Sequence, residues 1–360
     1  MRVLKVKDAL VKVKRPVKIP QSEYLPFGSY PVIDQGKSII AGYTNDIESV
    51  IFSPLPITIF GDHTRIVKFS KEPFASGADG TQLLYPIGDI DPTFFYYSIK
   101  NIDLSNYFYA RHFKYLKESE ICVPDLPVQR RIADILSAYD DLIENNRRRI
   151  AILEETARLA YRKWLSENYA LIKTTKIGEF VDLQNGFAFK SNTFVAAGQY
   201  KIITIKNVKD VIVDSGNVAF VESIPARMPA HCRILPKDIL LSLTGNVGRV
   251  SIAIEQNGLL NQRVAKVKSD FPWFSLLVLK SNECFRLMNN LAVGTAQQNL
   301  SPVKLCDEFI EVPTRTGMAH VERLVAPLFD HIVLLAQQSV ALAAARDMLL
   351  PRLMKGEVNI

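Results

Sequence analysis

Polar side chains stand beside glycines in three groups whose types suit hydrogen bonding to flat, polar ligands. The first group occurs twice, as Asp62, His63, Thr64 and Arg65 and again as Thr244, Asn246 and Arg249. The second group is Asn261, Gln262 and Arg263, and the third is Gln297, Gln298 and Asn299, with Tyr109, Arg111 and His112 in the corresponding part of the first half. Glycine permits close backbone approach, and Arg, Asn and Gln form paired hydrogen bonds with guanine and adenine edges.

Cations that would suit phosphate contacts accompany these groups. They are Lys37, Arg111, Lys114, Lys190 and Lys206. For any one of these polar or cationic residues a solvated turn or a helix cap is an equally good interpretation. As a set placed on two equivalent segments, they favour DNA binding.

The sequence lacks the signatures of common catalytic sites. It contains no phosphate-binding GxxxxGK[ST] loop, no GxGxxG after a strand and no HExxH zinc motif. The segment Ser53-Pro54-Leu55-Pro56 lacks the second consecutive proline and the aromatic residue of the amino-methyltransferase loop. The five histidines form no cluster, and the four cysteines form no C-x-x-C pair, which predicts buried free thiols in a reducing compartment. The sequence therefore predicts a binding protein and not an enzyme.

Composition is that of a globular protein with two domains. The chain has 360 residues, of which 48% are hydrophobic and 22% charged, and its formal net charge is +7. This moderate basic excess suits a nucleic-acid partner or simply a basic soluble protein. The first residues lack the apolar region of a signal peptide, and no run suggests a membrane span, so a cytoplasmic location without membrane association is expected.

The chain contains an internal duplication. Short strand-like runs end in Val-Pro at residues 123–124 and 312–313, an offset of 189, and a long segment with helical periodicity follows each. Weaker similarity aligns the glycine turn around Arg65 with that around Arg249, an offset of 184. In each copy an apolar strand precedes this turn, which predicts a hairpin.

Each long segment carries an apolar seam with steps that alternate between four and three residues, as in a coiled coil. The first seam contains Ile132, Leu136, Tyr139, Ile143, Asn146, Ile150, Leu153 and Trp164, and the second contains Val325, Leu328, Ile332, Leu335, Leu342, Leu349 and Leu353. The seams share one register at the offset of 189. Two helices of about 38 residues are predicted to pair antiparallel, each about 57 Å long at the rise of an α-helix. Asn146 either specifies the register or faces a wet gap.

These observations predict an α+β protein with two pseudo-repeated mixed α/β domains, separated by two long antiparallel coiled-coil helices. The expected segments are a first globular domain at 1–124, a helix at 125–167, a second globular domain at 168–313 and a second helix at 314–360.

The order of several motifs resembles the specificity subunit of type I restriction–modification systems. The first helix opens with Leu-Pro-Val-Gln-Arg-Arg-Ile at 126–132, the second domain contains Asn-Gly-Phe-Ala-Phe-Lys at 185–190, and the tail contains Leu-Leu-Pro-Arg-Leu at 349–353. The second helix departs from the pattern, because Thr-Arg-Thr-Gly-Met stands at 314–318. The first domain lacks a clear counterpart of 185–190.

The resemblance implies a non-catalytic DNA-recognition subunit in which each target recognition domain recognises one half of a split site. It also implies that the helices set the spacing and bind two adenine methyltransferase subunits, with motor-nuclease subunits in the full complex. S-adenosylmethionine, ATP and Mg²⁺ would belong to those partners and not to this chain. The alternative from the residues is a protein-interaction scaffold, built on the paired helices, that binds no nucleic acid.

Overall fold

The computed structural model describes residues 2–78, 80–106, 111–216, 218–294 and 298–358. The strands of the first half are β1 (Arg2–Lys5), β2 (Leu10–Val11), β3 (Tyr30–Ile33), β4 (Gly42–Thr44), β5 (Val50–Ile51), β6 (Ile57–Gly61), β7 (Val67–Ser70), β8 (Phe74–Ser76), β9 (Thr81–Pro86) and β10 (Glu120–Val123). Those of the second half are β11 (Ile172–Lys176), β12 (Asp182–Asn185), β13 (Tyr200–Ile203), β14 (Ala219–Val221), β15 (Arg233–Ile234), β16 (Ile239–Ser242), β17 (Val250–Ile252), β18 (Gly258–Leu260), β19 (Val264–Lys268) and β20 (Phe309–Pro313).

The α-helices are α1 (Pro92–Lys100), α2 (Phe113–Glu118), α3 (Leu126–Glu167), α4 (Pro272–Leu279), α5 (Asn282–Leu291), α6 (Pro302–Asp307) and α7 (Arg315–Met354). The two long helices contain 42 and 40 residues, slightly more than the predicted 38. Proline at the first position starts α1 and α4, where its missing N–H costs no hydrogen bond.

The strand topology confirms the duplication. Four-stranded sheets in the orders β2-β9-β6-β7 and β4-β3-β8-β5, with the pair β1-β10, form the first domain. The second domain has β12-β19-β16-β17, β14-β13-β18-β15 and β11-β20, so every strand has its counterpart ten strands later. Even the parallel pairing recurs, between β3 and β8 and between β13 and β18. Helix α5 is the main addition in the second domain.

The chain divides into two compact units that do not follow the linear boundaries expected from the sequence. One unit is Met1–Ile143 with Ala341–Ile360, and the other is Glu144–Val340. Each therefore combines one globular domain with a part of both long helices. The reason is packing: Ile132 and Leu136 of α3 and Leu353 of α7 belong to the core of the first domain.

The long helices pair antiparallel in the second unit and also contact each other in the first. In the second unit Asn146 Nδ2 donates to Gln338 Oε1 at 3.2 Å, Arg149 bonds to His331 at 3.1 Å, and Trp164 lies against His320. Along these contacts the residue numbers rise in α3 and fall in α7, which is the order of an antiparallel pair. In the first unit Arg346 pairs with Asp140. The predicted seam residues are all buried or half-buried.

Helix α7 corrects the expectation that no run suggests a membrane span. By length and composition alone it is apolar enough to cross a membrane, a property it shares with many core helices. Its residues Val321, Val325, Phe329 and Ile332 are packed in the core of the second unit. Burial within the protein accounts for part of the apolar character of α7, since 28% of its most apolar 18-residue window is buried.

The four cysteines are free thiols, as predicted, but only two of them are buried. Cys232 and Cys284 lie inside the second domain, Cys306 is half-buried and Cys122 is exposed. Burial raises the pKa of the Cys284 thiol to about 12. That thiol is consequently protonated and unreactive at neutral pH.

Candidate nucleic-acid interface

Four loops converge at one edge of the second domain. They are the loop after β13, the β16–β17 hairpin, the β18–β19 loop and the segment before α6. The Leu243 N–H donates to the Arg263 carbonyl at 3.0 Å, the Leu300 N–H donates to the Leu243 carbonyl at 2.8 Å, and the Asn261 N–H donates to the Ile203 carbonyl at 3.0 Å. These backbone bonds hold together all three polar groups found in the sequence.

The first domain repeats this arrangement bond for bond. The Asp62 N–H donates to the Gly80 carbonyl at 2.7 Å, and the His112 N–H donates to the Asp62 carbonyl at 2.9 Å. The Gly77 N–H donates to the Ile33 carbonyl at 2.9 Å, the counterpart of the Asn261 bond. The two loop clusters are therefore equivalent surfaces on equivalent scaffolds.

Backbone conformation corrects the register of the hairpin turn by one residue. The Gly61 N–H donates to the Ile66 carbonyl, and its counterpart, the Ser242 N–H, donates to the Arg249 carbonyl. Arg65 therefore corresponds to Gly248 and not to Arg249. Both occupy the left-handed region, with φ of 61° and 82°, a conformation that glycine adopts without strain. In the sequence Arg65 aligns with Arg249 because both are arginines, whereas the backbone hydrogen bonds that define the turn are visible only in the structure.

A hydrogen-bonded network lies at the centre of the cluster in the second domain. Asn299 Oδ1 accepts from Thr244 Oγ1 at 2.8 Å and from Arg263 Nη1 at 2.7 Å. Thr244 is only 2% exposed, whereas Arg263 and Asn299 are exposed. Thr244, predicted to contact DNA, is therefore a buried residue whose hydroxyl holds the Asn299 side chain in place.

The other predicted residues of this domain surround the network. Asn246, Arg249, Gln262 and Gln298 are exposed, and Asn261 is half-buried. The Gln298 carbonyl accepts from the Gly245 N–H at 3.1 Å, which joins the third group to the hairpin. Gln297 lies outside the described residues.

In the first domain two predicted contact residues are structural. Asp62 and His112 are each 5% exposed, and His112 Nδ1 lies 2.9 Å from the Asp62 carbonyl oxygen. The Asp62 carboxylate also accepts from the Phe113 N–H at 2.8 Å, at the start of α2. Acidic side chains stabilise helix N-termini in this way. Their burial corrects the prediction that both side chains face DNA, because neither side chain is accessible to a ligand.

The exposed residues of the first cluster are organised by Gln35, which the sequence analysis did not single out. Gln35 Oε1 accepts from the His63 N–H at 3.1 Å, and its carbonyl accepts from Thr64 Oγ1 at 2.6 Å. Arg65 Nη1 donates to the Leu104 carbonyl at 3.1 Å. Gln35 is the second residue after strand β3, beside Gly36, and a polar residue next to a glycine after a strand is the signal that marks it in the sequence.

Lys68 is the second residue that the sequence analysis missed. Its Nζ donates to the carbonyls of Asp34 and Ser38 at 2.7 and 2.5 Å, and it is only 7% exposed. Burial lowers its pKa, although the nearby Asp34 carboxylate opposes this effect. Lys68 therefore fastens the loop that carries Gln35 and Lys37. Alternation in β7, where Val67 and Phe69 are the apolar residues, would have placed this lysine on the exposed face, so the sequence carries no signal for its burial.

The predicted phosphate contacts are exposed, as such contacts require. Lys37, Arg111, Lys114, Lys190 and Lys206 all face solvent. Lys37, Arg111 and Lys206 lie on loops of the two clusters, whereas Lys190 follows β12 and Lys114 lies in α2 over the Tyr115 ring. Tyr109 lies outside the described residues. Within the residues described, no group of three His, Cys, Asp or Glu side chains is placed to hold a metal.

Comparison with known proteins identifies the family. The model for the type I restriction modification DNA specificity domain matches residues 2–155 and matches again over residues 171–316. The chain belongs to this family. The two matches coincide with the two structural repeats, and they assign DNA sequence recognition within a type I restriction–modification system to this specificity subunit.

Individual relatives agree with this assignment. The chain is 23% identical over 332 residues to the MjaIX specificity subunit of Methanocaldococcus jannaschii, covering 82% of this chain and 75% of that protein. It is 22% identical over 276 residues to the MjaVIII specificity subunit of the same organism, covering 69% and 64%. The fold is similar to the crystal structure of the S subunit from M. genitalium, with a TM-score of 0.54, 16% identity and coverage of 98% and 95%.

Proposed function

We propose that each globular domain recognises one half of a bipartite DNA site and that α3 and α7 set the number of unspecified base pairs between the halves. The observation that carries this proposal is the pair of equivalent loop clusters whose backbone bonds match while their side chains differ. Gln35 organises one cluster and the Thr244–Asn299–Arg263 network organises the other. Equivalent scaffolds with different side chains suit two different base sequences.

The proposal extends to partners. Exposed apolar side chains lie along the helix pair of the second unit, where Ile152 is 65%, Leu159 52% and Leu334 62% exposed. Clusters of exposed apolar residues mark protein contacts. We assign this surface to binding of the adenine methyltransferase subunits, of which the complex would hold two, alongside motor-nuclease subunits. The chain itself would be non-catalytic and cytoplasmic, with S-adenosylmethionine, ATP and Mg²⁺ bound by the partners.

A salt titration tests DNA binding against the scaffold alternative. The full chain, alone and with its methyltransferase subunit, is titrated with random-sequence duplex DNA at several salt concentrations. Lys37, Lys190 and Lys206 would release counterions from phosphates, so the affinity should fall steeply as salt rises. A flat or absent response would favour the scaffold.

A heptad insertion tests the spacing role. Seven residues added to both α3 and α7 lengthen each by about 10 Å, at 1.5 Å rise per residue. The gap between half-sites should grow by about three base pairs, at about 3.4 Å per base pair. Both half-site sequences should stay unchanged. A control insertion of the same seven residues in one helix alone should disrupt the seam and abolish selection. An unchanged gap in the doubly lengthened chain would refute the spacing role.

A further inference from the structure

We propose that Arg263 is the residue of the second domain that specifies a guanine in its half-site, with Asn299 and Thr244 as the residues that position it. This inference rests on the proposed function and identifies the group that distinguishes one half-site from the other.

Arg263 is held by one edge only. Its Nη1 donates to Asn299 Oδ1 at 2.7 Å and lies 3.5 Å from Thr244 Oγ1. Among the described residues no acceptor is bonded to its Nη2 or Nε. An arginine fixed through one nitrogen loses little further side-chain freedom on binding a ligand. The open edge is therefore preorganised to donate two parallel hydrogen bonds.

The holding group is itself fixed. Asn299 Oδ1 also accepts from Thr244 Oγ1 at 2.8 Å, and Thr244 is buried at 2% exposure. The Asn299 N–H and carbonyl bond to Val293 at 2.9 and 3.0 Å. A buried hydroxyl and a backbone bridge thus fix the oxygen that orients Arg263. A side chain that recognises a base requires supporting hydrogen bonds of this kind, because they fix its orientation before binding.

Guanine is the base that this geometry fits. In the major groove guanine presents the O6 and N7 acceptors side by side, and arginine is the side chain that most often donates to both. Adenine presents one donor and one acceptor there, which suits an amide and not a guanidinium. A phosphate would also accept a bidentate arginine, and the experiment below distinguishes that outcome.

The first domain has a different group at the equivalent position. Gly80 corresponds to Arg263, because Gly80 and Arg263 accept the same backbone bond from Asp62 and Leu243, respectively. A side chain at Gly80 would collide with the Gln35 amide, at 2.6 Å from its Oε1. The amide therefore lies where a side chain at this position would begin, and the first domain has no arginine here. The guanine preference should consequently belong to one half-site only.

Selection from a randomised duplex library tests the proposal. The full-length chain and its R263A, R263K and T244V variants each select from the library, and bound sequences are compared position by position. The wild type should select a two-part motif with a guanine in one half. R263A should lose preference at that guanine by about 10- to 100-fold, the range of one bidentate contact, and keep the other half intact. T244V should lose less at the same position.

K190A is the matched control, because Lys190 is an exposed cation outside the network. Its removal should weaken binding to all sequences alike. R263K keeps the charge, so a correctly folded R263K chain with the same loss at guanine supports base recognition. Uniform weakening by R263A would assign Arg263 to a phosphate and overturn the inference, as would an unchanged motif. If the wild-type chain selects no motif, the proposed function itself fails.

Discussion

The polar contact between α1, α3 and α7 in the first unit allows a quantitative prediction. Tyr97 donates to Asp140 Oδ2 at 2.6 Å, and Arg346 pairs with the other carboxylate oxygen. The Asp140 side chain is 30% exposed and that of Arg346 13%. Removing Arg346 leaves a half-buried carboxylate with one neutral partner. We predict that R346A destabilises this unit.

The magnitude follows from the partial burial. Exposed ion pairs contribute about 0.2–1 kcal/mol, and breaking a fully buried pair costs about 3–5 kcal/mol. With one partner largely buried and the other partly exposed, R346A should cost about 2 kcal/mol, between these limits. Local opening would then be about 30-fold more frequent, at about 1.4 kcal/mol per tenfold change.

The second unit supplies the control, because it has apolar residues at the three corresponding positions. Leu277 corresponds to Tyr97 at the offset of 180 between α1 and α4, and Phe329 and Ala157 correspond to Asp140 and Arg346 at the offset of 189. All three are buried in the core. Apolar groups often replace a buried ion pair at little cost. The triple variant Y97L/D140F/R346A should therefore be destabilised less than R346A.

Hydrogen exchange of the α1 amides at residues 93–100 measures the opening of this unit directly. A double-mutant cycle of D140A and R346A isolates the pair and should give a coupling free energy of about 1–2 kcal/mol. Coupling below about 0.3 kcal/mol would refute the reasoning, since that is the level expected for independent sites. A triple variant less stable than R346A would refute it equally.

Two further predictions concern the charged groups of the first domain. K68M should free the loop of Gln35 and Lys37 and cost about 1.5–3 kcal/mol, the value of hydrogen bonds made by a charged group, with faster exchange at residues 34–38 and a weakened first half-site as the measurements. The Lys7 and Lys5 ammonium groups lower the pKa of Glu118 from 4.5 to about 2. Because the folded pKa lies below the unfolded one, its stabilising effect is present above pH 4.5 and is lost as pH falls towards 2. E118Q should therefore flatten the stability profile in that window, and a Glu118 carboxyl that titrates near 4.5 by NMR would contradict this.

The duplication and the helix pair were predictable from sequence because both rest on periodic patterns. The seam that contains Leu136 and Ile150 alternates steps of four and three residues, and the same register returns after 189 residues in the seam that contains Leu335. Such patterns follow directly from helix geometry. Apolar burial then decides the pairing, with few alternatives.

The division into compact units was not predictable, because it depends on contacts distant in sequence. Leu353 packs in the first domain although it lies more than two hundred residues beyond it. The polar network of Asp140 and Arg346 occupies positions where the other unit has Phe329 and Ala157. A seam pattern indicates that a residue lies on the buried face of its helix, but it does not identify the residue packed against it.

At the candidate interface, residue types predicted the loops better than the individual roles. Asp62 and His112 have the chemistry of base contacts, but a buried helix start uses both. Gln35 stands beside Gly36 and was still not singled out, yet its amide lies directly against Gly80. Whether a polar group faces inward or outward depends on loop geometry, which single-residue chemistry does not determine.

Sequencing of adenine methylation across the host genome tests the central claim most directly. Strains with the wild-type chain and with the chain deleted are compared, alongside a strain that carries R263A. The wild-type strain should show a methylated motif of two specified halves separated by a fixed unspecified gap, and the deletion strain should lack it. R263A should relax one half only. A methylation pattern that is unchanged when the chain is deleted would contradict the assignment of two recognition domains.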